Sequence, residues 1–273
     1  MLASLGYSIS VDLPASETCH RYLTLQRRLV SSRPRPIFKA MEFTCPPELN
    51  AGLAALERKI NGGEDLRPHL SRRLADLDIQ DMLHNDWGIH HLHLGIKQES
   101  DGFVERTGPV LFARFSSTAA YLISVRKHGS WACQDFIRVI HRNWPETISR
   151  YRLLGAVSLA KQTSDEDIAM LRKAAINVPI QVEPRAIYMA IGGGYSTTKT
   201  NAKVVRDCAR QTAKLKACEE FVREKAPAVL EQAQARGLKI GDELSFKLRT
   251  LDGVLVALEE NTGTVLPLPD GGA

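Results

Sequence analysis

Cysteine is scarce in this chain, and its spacing matches neither a disulfide framework nor a cysteine-type zinc site. The cysteines of the 273-residue sequence are Cys19, Cys45, Cys133, Cys208 and Cys218. Their number is odd, the intervals are wide and no Cys-x-x-Cys pair occurs. We therefore expect reduced thiols that are buried as small apolar side chains, as in a cytoplasmic protein.

Long apolar segments are missing as well. No apolar run approaches the roughly 20 residues that a membrane helix needs, and the N-terminus lacks a basic segment followed by an apolar one. We therefore expect a cytoplasmic protein with no membrane partner. Hydrophobic residues make up 44% and charged residues 25% of the chain, which is typical of a globular protein and excludes a disordered or fibrous one.

Three well-known catalytic and nucleotide-binding motifs are also absent. The sequence contains no GxxxxGK[ST] order, no GxGxxG order and no HExxH pair. These absences argue against a P-loop nucleotidase, a dinucleotide-binding fold and a zinc protease of the HExxH type. Candidate chemistry has to be sought in residue types that cluster without such a motif.

The apolar periodicity predicts an α+β fold. Residues 1–83 are predicted as a helical N-terminal layer, and 84–160 as a central three-stranded antiparallel sheet with packed helices. Residues 161–273 are predicted as a smaller C-terminal element of helix and β-hairpin, continuous with the rest as one compact unit. Helices are expected at 16–31, 49–60, 70–77, 133–144, 146–156, 164–175 and after 198, with a further helix from Pro227 to 235. Strands are expected at 6–13, 89–97, 109–115, 119–125, 187–191, 243–249 and 253–259.

Positive charge is clustered in two segments. The formal net charge is +5, and no acidic residue lies between Glu17 and Glu42, whereas basic residues are frequent there and in 199–225. Basic runs of this kind bind phosphate backbones or form solvated faces. The basic residues of the first segment are Arg21, Arg27, Arg28, Arg33, Arg35 and Lys39. We expect nucleic acid, RNA by preference, as the partner.

Histidine is concentrated in the centre of the chain. Of the eight histidines, six lie within 84–141, namely His84, His90, His91, His93, His128 and His141, and every tryptophan lies within 87–144. On a strand, His91 and His93 project from one face. Imidazoles titrate near neutrality and serve as general acids and bases. The pattern predicts a metal-independent endoribonuclease in which these two histidines share the base and acid roles. Arg114 and Arg126 are predicted to hold the phosphate, with His128 as an alternative acid.

Two other functions fit the same residues. A His-x-His pair can bind a metal, so Asp86, His91 and His93 are an alternative ligand set for Zn or Mn in a metal-dependent hydrolase. In a non-catalytic nucleic-acid-binding or assembly protein, the histidines would instead be structural and the sheet would be an interaction surface.

A glycine-rich turn, Gly192-Gly193-Gly194, precedes the predicted long helix. Successive glycines permit backbone amides to point at an anion, and a helix N-terminus favours phosphate. We predict a phosphate-binding contribution from Gly193, Gly194, Ser196 and Lys199, with Arg27 and Arg28. The alternative is a tight turn followed by a helix cap at Ser196, Thr197 or Thr198.

The stretch from His91 to His128 resembles the compact ribonuclease toxins of the RelE and barnase-like class. The resemblance consists of a small antiparallel sheet that carries histidine and arginine. It implies a ribonuclease-like architecture, and no catalytic residue is transferred from it.

Overall fold

The computed structural model describes residues 13–238 and 244–269, and its mixture of helices and several sheets confirms the predicted α+β class. The chain divides into two compact units, Met1–Arg206 and Asp207–Ala273. The predicted boundary at residue 83 falls inside the first unit. The strand predicted at 6–13 lies outside the described residues apart from Leu13.

The described helices are α1 (Ala15–Arg28), α2 (Asn50–Gly62), α3 (Met82–Trp87), α4 (Asp135–Asn143), α5 (Asp165–Lys173) and α6 (Ala202–Ala235). The described strands are β1 (Ile37–Lys39), β2 (His90–His93), β3 (Pro109–Phe115), β4 (Ala120–Lys127), β5 (Ile180–Glu183), β6 (Ala186–Tyr188), β7 (Phe246–Leu251), β8 (Val254–Glu259) and β9 (Val265–Pro267). Single turns of 3-10 helix lie at Pro47–Leu49, Arg67–His69, Arg72–Ala75, Pro145–Thr147 and Ser149–Tyr151.

The main sheet has four strands in the order β1-β4-β3-β2. Strands β2, β3 and β4 form the predicted antiparallel meander. Strand β1, which was not predicted, pairs in parallel with β4, with Ile37 opposite Ala120. A three-residue strand directly after a proline carries too little alternation to be recognised. Strand β2, which contains the His-x-His pair, lies at the opposite edge of the sheet from β1.

Each face of this sheet is covered by a separate apolar cluster. On one face, Leu92, Leu111 and Leu122 pack with leucines of α1 and α2. On the other face, Phe112 packs with Phe136 of α4, with their ring centroids 4.4 Å apart. Alternation along β2 therefore directs its leucine to the α1–α2 face and its odd-numbered histidines to the α4 face.

The helices agree with the prediction where caps and apolar spacing are clear. The capping box that begins α5 is present: Ser164 Oγ accepts from the amide of Asp167, and the Asp167 carboxylate accepts from the amide of Ser164. The helices predicted at 70–77 and 146–156 are instead short 3-10 turns. Prolines at or near these turns favour a single turn over a longer helix.

The second unit contains most of α6 and the antiparallel sheet β7-β8-β9. Helix α6 continues through Pro227, where the sequence predicts a new helix. The hairpin predicted at Asp252-Gly253 is confirmed, because both residues have the positive φ angles (49° and 81°) of a tight two-residue turn. None of the described helices has both the length and the apolar surface needed to cross a lipid bilayer.

Candidate functional site

Three of the predicted catalytic histidines converge beside edge strand β2. His91 and His93 both contact His128, which directly follows β4, and the ring centroids are 6.2 Å and 5.6 Å apart respectively. The His93 and His128 rings are stacked with an interplanar angle of 20°. The inference that His91 and His93 share a face of the strand is therefore supported by their common neighbour.

A cavity of about 240 Å³ opens at this cluster, and we call it the histidine cavity. Its walls include His91, His128 and Trp131. The indole centroid of Trp131 lies 4.6 Å from the His91 ring and 4.8 Å from the His128 ring. Asp81 also lines this cavity, and its Oδ2 is 4.0 Å from Nδ1 of His91. The arrangement places two imidazoles, an aromatic wall and a carboxylate around one opening.

The local fold holds Asp81 in place. As the N-cap residue of α3, it accepts a hydrogen bond from the amide of His84 through Oδ1 at 2.9 Å. Asp81 faces His91 with its other carboxylate oxygen. The helix cap therefore holds the Asp81 carboxylate beside the His91 ring.

Burial keeps the imidazoles of β2 neutral at physiological pH. It lowers the pKa of His91, an effect that the Asp81 carboxylate partly offsets and that His128 reinforces. Burial, together with neighbouring positive charge, lowers the pKa of His93 to about 4. Nδ1 of His93 accepts a hydrogen bond from the Thr107 amide at 3.2 Å. His93 is therefore a neutral residue that supports His128 by stacking, and His91 is the neutral imidazole that lines the cavity.

The two arginines predicted to hold the phosphate are not assembled with these histidines. The guanidinium of Arg126 pairs with Asp135 and lies over the ring of Phe136. Arg114 lines a different cavity, where its Nη1 donates to Thr147. The partner of Arg126 is 9 residues away along the chain and the partner of Arg114 is 33 residues away. Strand alternation alone therefore could not predict either interaction.

Two other arginines do line the histidine cavity. Arg28 is buried and donates to the carbonyl oxygens of Asp76 and Arg73 at 2.7 Å and 2.5 Å, which ties α1 to the 3-10 turn at Arg72–Ala75. The predicted phosphate ligand Arg28 therefore has a structural role. Arg73 is exposed at the rim, and it could not be predicted from the sequence because no local motif includes it.

The alternative metal-ligand set is not brought together. Oδ2 of Asp86 accepts from Nε of Arg172 at 2.6 Å, and both side chains are almost fully buried. Arg172 also lies over the Trp87 ring, 3.8 Å from its centroid. Asp86 therefore belongs to a structural ion pair and does not line the histidine cavity beside His91. Within residues 13–238 and 244–269, no group of three or more His, Cys, Asp or Glu side chains is arranged to hold a metal ion.

The predicted anion nest at the glycine-rich turn is wrong, because its backbone amides are already bonded. The amides of Gly193 and Gly194 donate to the carbonyl oxygens of Ala190 and Asn85, both at 2.9 Å. The turn that follows is closed in the same way, since the Ser196 amide donates to Thr200 and the Lys199 amide donates to Ser196.

The start of α6 also differs from the prediction. The Asn201 side chain, instead of Ser196, Thr197 or Thr198, accepts from the amide of Lys203 at 2.9 Å. The glycines allow close packing: a Cβ on Gly192 would lie 2.3 Å from the carbonyl oxygen of His84. Arg27 donates to the Gly192 carbonyl at 2.7 Å.

A second cavity in the first unit, of about 740 Å³, brings together residues that are far apart in the sequence. Arg27, Arg114, Lys203, His84 and His90 are among its lining residues, and we call it the basic cavity. They come from elements between α1 and α6, so no sequence window contains them together. His90 lines both cavities, with its ring 4.4 Å from that of His84.

Comparisons with protein-family models, with curated proteins and with solved structures find no match to this chain. Function is therefore inferred from the residues and their geometry. The histidine cavity can accept and donate protons next to an aromatic wall, whereas the basic cavity can hold negative charge.

Proposed function

We propose that this protein is a metal-independent endoribonuclease whose catalytic centre is the histidine cavity. The observation that carries the proposal is the convergence of His91 and His128 on one opening, between Trp131 and Asp81. Two imidazoles that face a common space can serve as the base and the acid of one phosphodiester cleavage.

In the proposed reaction, His91 is the general base. Its Nδ1 side faces Asp81, so we assign Nε2 as the atom that takes the proton from the ribose 2′-hydroxyl. The 2′-oxygen then attacks the phosphorus, and the bond from phosphorus to the 5′-oxygen breaks. His128 gives a proton to the departing 5′-oxygen, and the other product carries a 2′,3′-cyclic phosphate. Arg73 at the rim is the cation that offsets the negative charge of the transition state.

RNA is the favoured substrate because its 2′-hydroxyl is an internal nucleophile. The protein then has to supply only a base, an acid and positive charge, and the cavity contains these groups. Trp131 offers an indole face against which an unpaired base can stack, a contact that single-stranded RNA permits.

The test is cleavage of labelled RNA by the wild type and by His91→Ala and His128→Ala, with and without excess EDTA. We expect each substitution to lower kcat by roughly 10²–10⁴-fold, as the loss of a general acid or base does. We expect the cleavage to survive EDTA and to leave cyclic phosphate ends. His20→Ala, on α1 outside both cavities, is the matched control and should cleave at the wild-type rate.

Unchanged cleavage in folded His91→Ala and His128→Ala proteins would contradict the proposal. Cleavage that EDTA abolishes and a divalent ion restores would favour the metal-dependent hydrolase instead. A non-catalytic RNA-binding protein is the second candidate, favoured by the concentration of positive charge in the basic cavity. RNA binding with no cleavage by the wild type under any condition would select it.

A further inference from the structure

The lining of the basic cavity contains many cations and few carboxylates. Its lining includes Arg27, Arg33, Arg35, Arg114, Arg150 and Lys203. Glu146 is the one carboxylate that this lining contributes within the described part of the chain. Like charges that share a cavity repel each other, and the repulsion is relieved when an anion enters.

Arg114 is a cation of this cavity whose guanidinium donates to neutral groups. It extends from β3 as a half-buried side chain, and burial lowers its pKa. Its Nη1 donates only to neutral acceptors, the carbonyl and hydroxyl oxygens of Thr147, both at 3.2 Å. Among the residues described, no carboxylate forms a salt bridge with Arg114. A guanidinium buried in this way is costly unless an anion pairs with it.

Tyr151 connects two further cations in the same cavity. Its hydroxyl oxygen lies 2.9 Å from Nζ of Lys203 and 2.7 Å from Nη2 of Arg150. Lysine and arginine only donate hydrogen bonds, so the hydroxyl oxygen accepts from both and its own proton remains available to donate. Burial alone would raise the pKa of Tyr151, but the two cations lower it overall. The three side chains form a cluster of donors without a negative charge of its own.

The buried wall of the cavity contains an unsatisfied polar group. His84 is only 6% exposed, and its Nδ1 has no hydrogen-bond partner within the described residues. Buried polar atoms are nearly always bonded in native proteins. An unpaired nitrogen in the lining of a cationic cavity is a second, independent sign that a polar ligand belongs there.

We propose that the basic cavity is a binding site for a phosphate-bearing ligand, held by Arg114, Arg150, Lys203 and the Tyr151 hydroxyl. Several cations around a volume of about 740 Å³ suit clustered phosphate groups better than a single carboxylate. Tyr121 also lines the cavity and stacks on Phe38 with the ring centroids 5.7 Å apart, which provides an aromatic surface for a base. A nucleoside diphosphate and an RNA backbone offer the same chemistry, and the site does not depend on the ribonuclease proposal.

The test compares two arginines of one chain segment. Arg150 lines the cavity, whereas Arg152 is exposed, donates to the carbonyl of Arg185 and does not line it. Calorimetric titration with pyrophosphate and with ADP, and anisotropy with a short labelled single-stranded RNA, would be run on the wild type, Arg150→Gln and Arg152→Gln. We expect Arg150→Gln to weaken binding about 10-fold or more, the effect of losing a charge-assisted hydrogen bond, and Arg152→Gln to bind like the wild type.

Lys203→Gln and Arg114→Gln extend the test, and circular dichroism checks that Arg114→Gln is folded. Selective weakening of pyrophosphate or ADP binding in Arg150→Gln and Lys203→Gln supports the site and identifies a small phosphate ligand. Selective weakening of RNA binding supports the site and identifies the RNA backbone. Failure of the wild type to bind any of the three probes would overturn the proposal, as would equal weakening by Arg152→Gln. RNA cleavage by the His91→Ala protein separately decides the ribonuclease proposal.

Discussion

Asp86 and Arg172 form an ion pair whose side chains are only 4% and 3% exposed. Removing one member of such a pair leaves the other charge buried and unpaired, which is far more costly than the loss of an exposed pair. Because Arg172 also lies over the Trp87 ring, the pair fixes α5 beside α3. It therefore supports the helix that carries His84 and is capped by Asp81.

We predict that Asp86→Asn lowers the free energy of unfolding by about 3–5 kcal/mol, the range for breaking a buried pair. Urea denaturation measures the change. Glu219→Gln, which removes an exposed pair with Arg223 on α6, is the matched control and should cost no more than about 0.5 kcal/mol. A loss in Asp86→Asn no larger than that of the control would show that the buried pair contributes little.

His90 makes stability depend on pH. Burial lowers its pKa to about 4 in the folded protein, against about 6.5 in the unfolded chain. Between these values the unfolded state binds more protons, so stability falls as the pH is lowered from about 6.5 towards 4, by up to about 1.4 kcal/mol per pH unit. Urea denaturation at several pH values should show this slope, and His90→Gln should reduce it. Identical slopes in the two proteins would contradict the assignment.

At the level of secondary-structure elements, the glycine-rich turn packs closely against α3 because its glycines have no side chains. A Cβ at Gly192 would lie 2.3 Å from the His84 carbonyl oxygen and 2.4 Å from the Gly88 amide nitrogen. Both atoms belong to the backbone at the end of α3 and cannot move aside as a flexible side chain would. The close approach of this turn and α3 therefore requires glycine on steric grounds.

We predict that Gly192→Ala destabilises the protein by about 1–3 kcal/mol, the usual cost of overpacking. It should also weaken anion binding, because His84 and Arg27 both contact this turn. Thermal denaturation and pyrophosphate titration measure the two effects. Gly108→Ala, where an added Cβ meets nothing within 4 Å, is the control and should change stability by less than about 0.5 kcal/mol. Equal stability of the two variants would refute the steric account.

Sequence patterns predicted the elements whose signal is local. The meander β2-β3-β4 follows from alternation, and the shared face of His91 and His93 follows from the same periodicity. The partners of Arg114 and Arg126 are set by the packing of the turn at Pro145–Thr147 and of α4 against the sheet. Interactions of this kind arise from tertiary structure and carry no local signal, so the surroundings predicted for both arginines are wrong.

The basic cavity also could not be predicted from the sequence, because its lining residues are far apart along the chain and meet only in the tertiary structure. Its cations come from α1, the segment between α1 and β1, β3, the turn at Ser149–Tyr151 and the start of α6. In the sequence, the basic segments at 21–39 and 199–225 are far apart, and no local pattern shows that they meet. Only the fold shows that Arg27 and Lys203, one from each segment, line one cavity.

For the molecule as a whole, RNA could be attracted by the net charge of +5 or by the cations clustered in the basic cavity. These two hypotheses predict different effects of single substitutions on RNA binding. A diffuse excess of charge would be weakened about equally by neutralising any surface cation, whereas a defined site depends on the cations that line it. Log K falls as log salt rises, and removing one cation that pairs with a phosphate of single-stranded RNA makes this slope less steep by about 0.7. This slope therefore reports how many phosphates the protein neutralises, independently of the affinity itself.

We predict that log K for RNA falls linearly with log salt and that Lys203→Gln makes the slope less steep by about 0.7. Arg210→Gln, an exposed cation on α6, neutralises one charge in the second unit and leaves the net charge equal to that of Lys203→Gln. The slope for Arg210→Gln should match that of the wild type, because we expect no RNA phosphate to pair with Arg210. Anisotropy titrations over a potassium chloride series measure all three slopes. Equal reductions in the two variants would mean that RNA responds to net charge alone, whereas a reduction confined to Lys203→Gln would assign one RNA phosphate to the basic cavity.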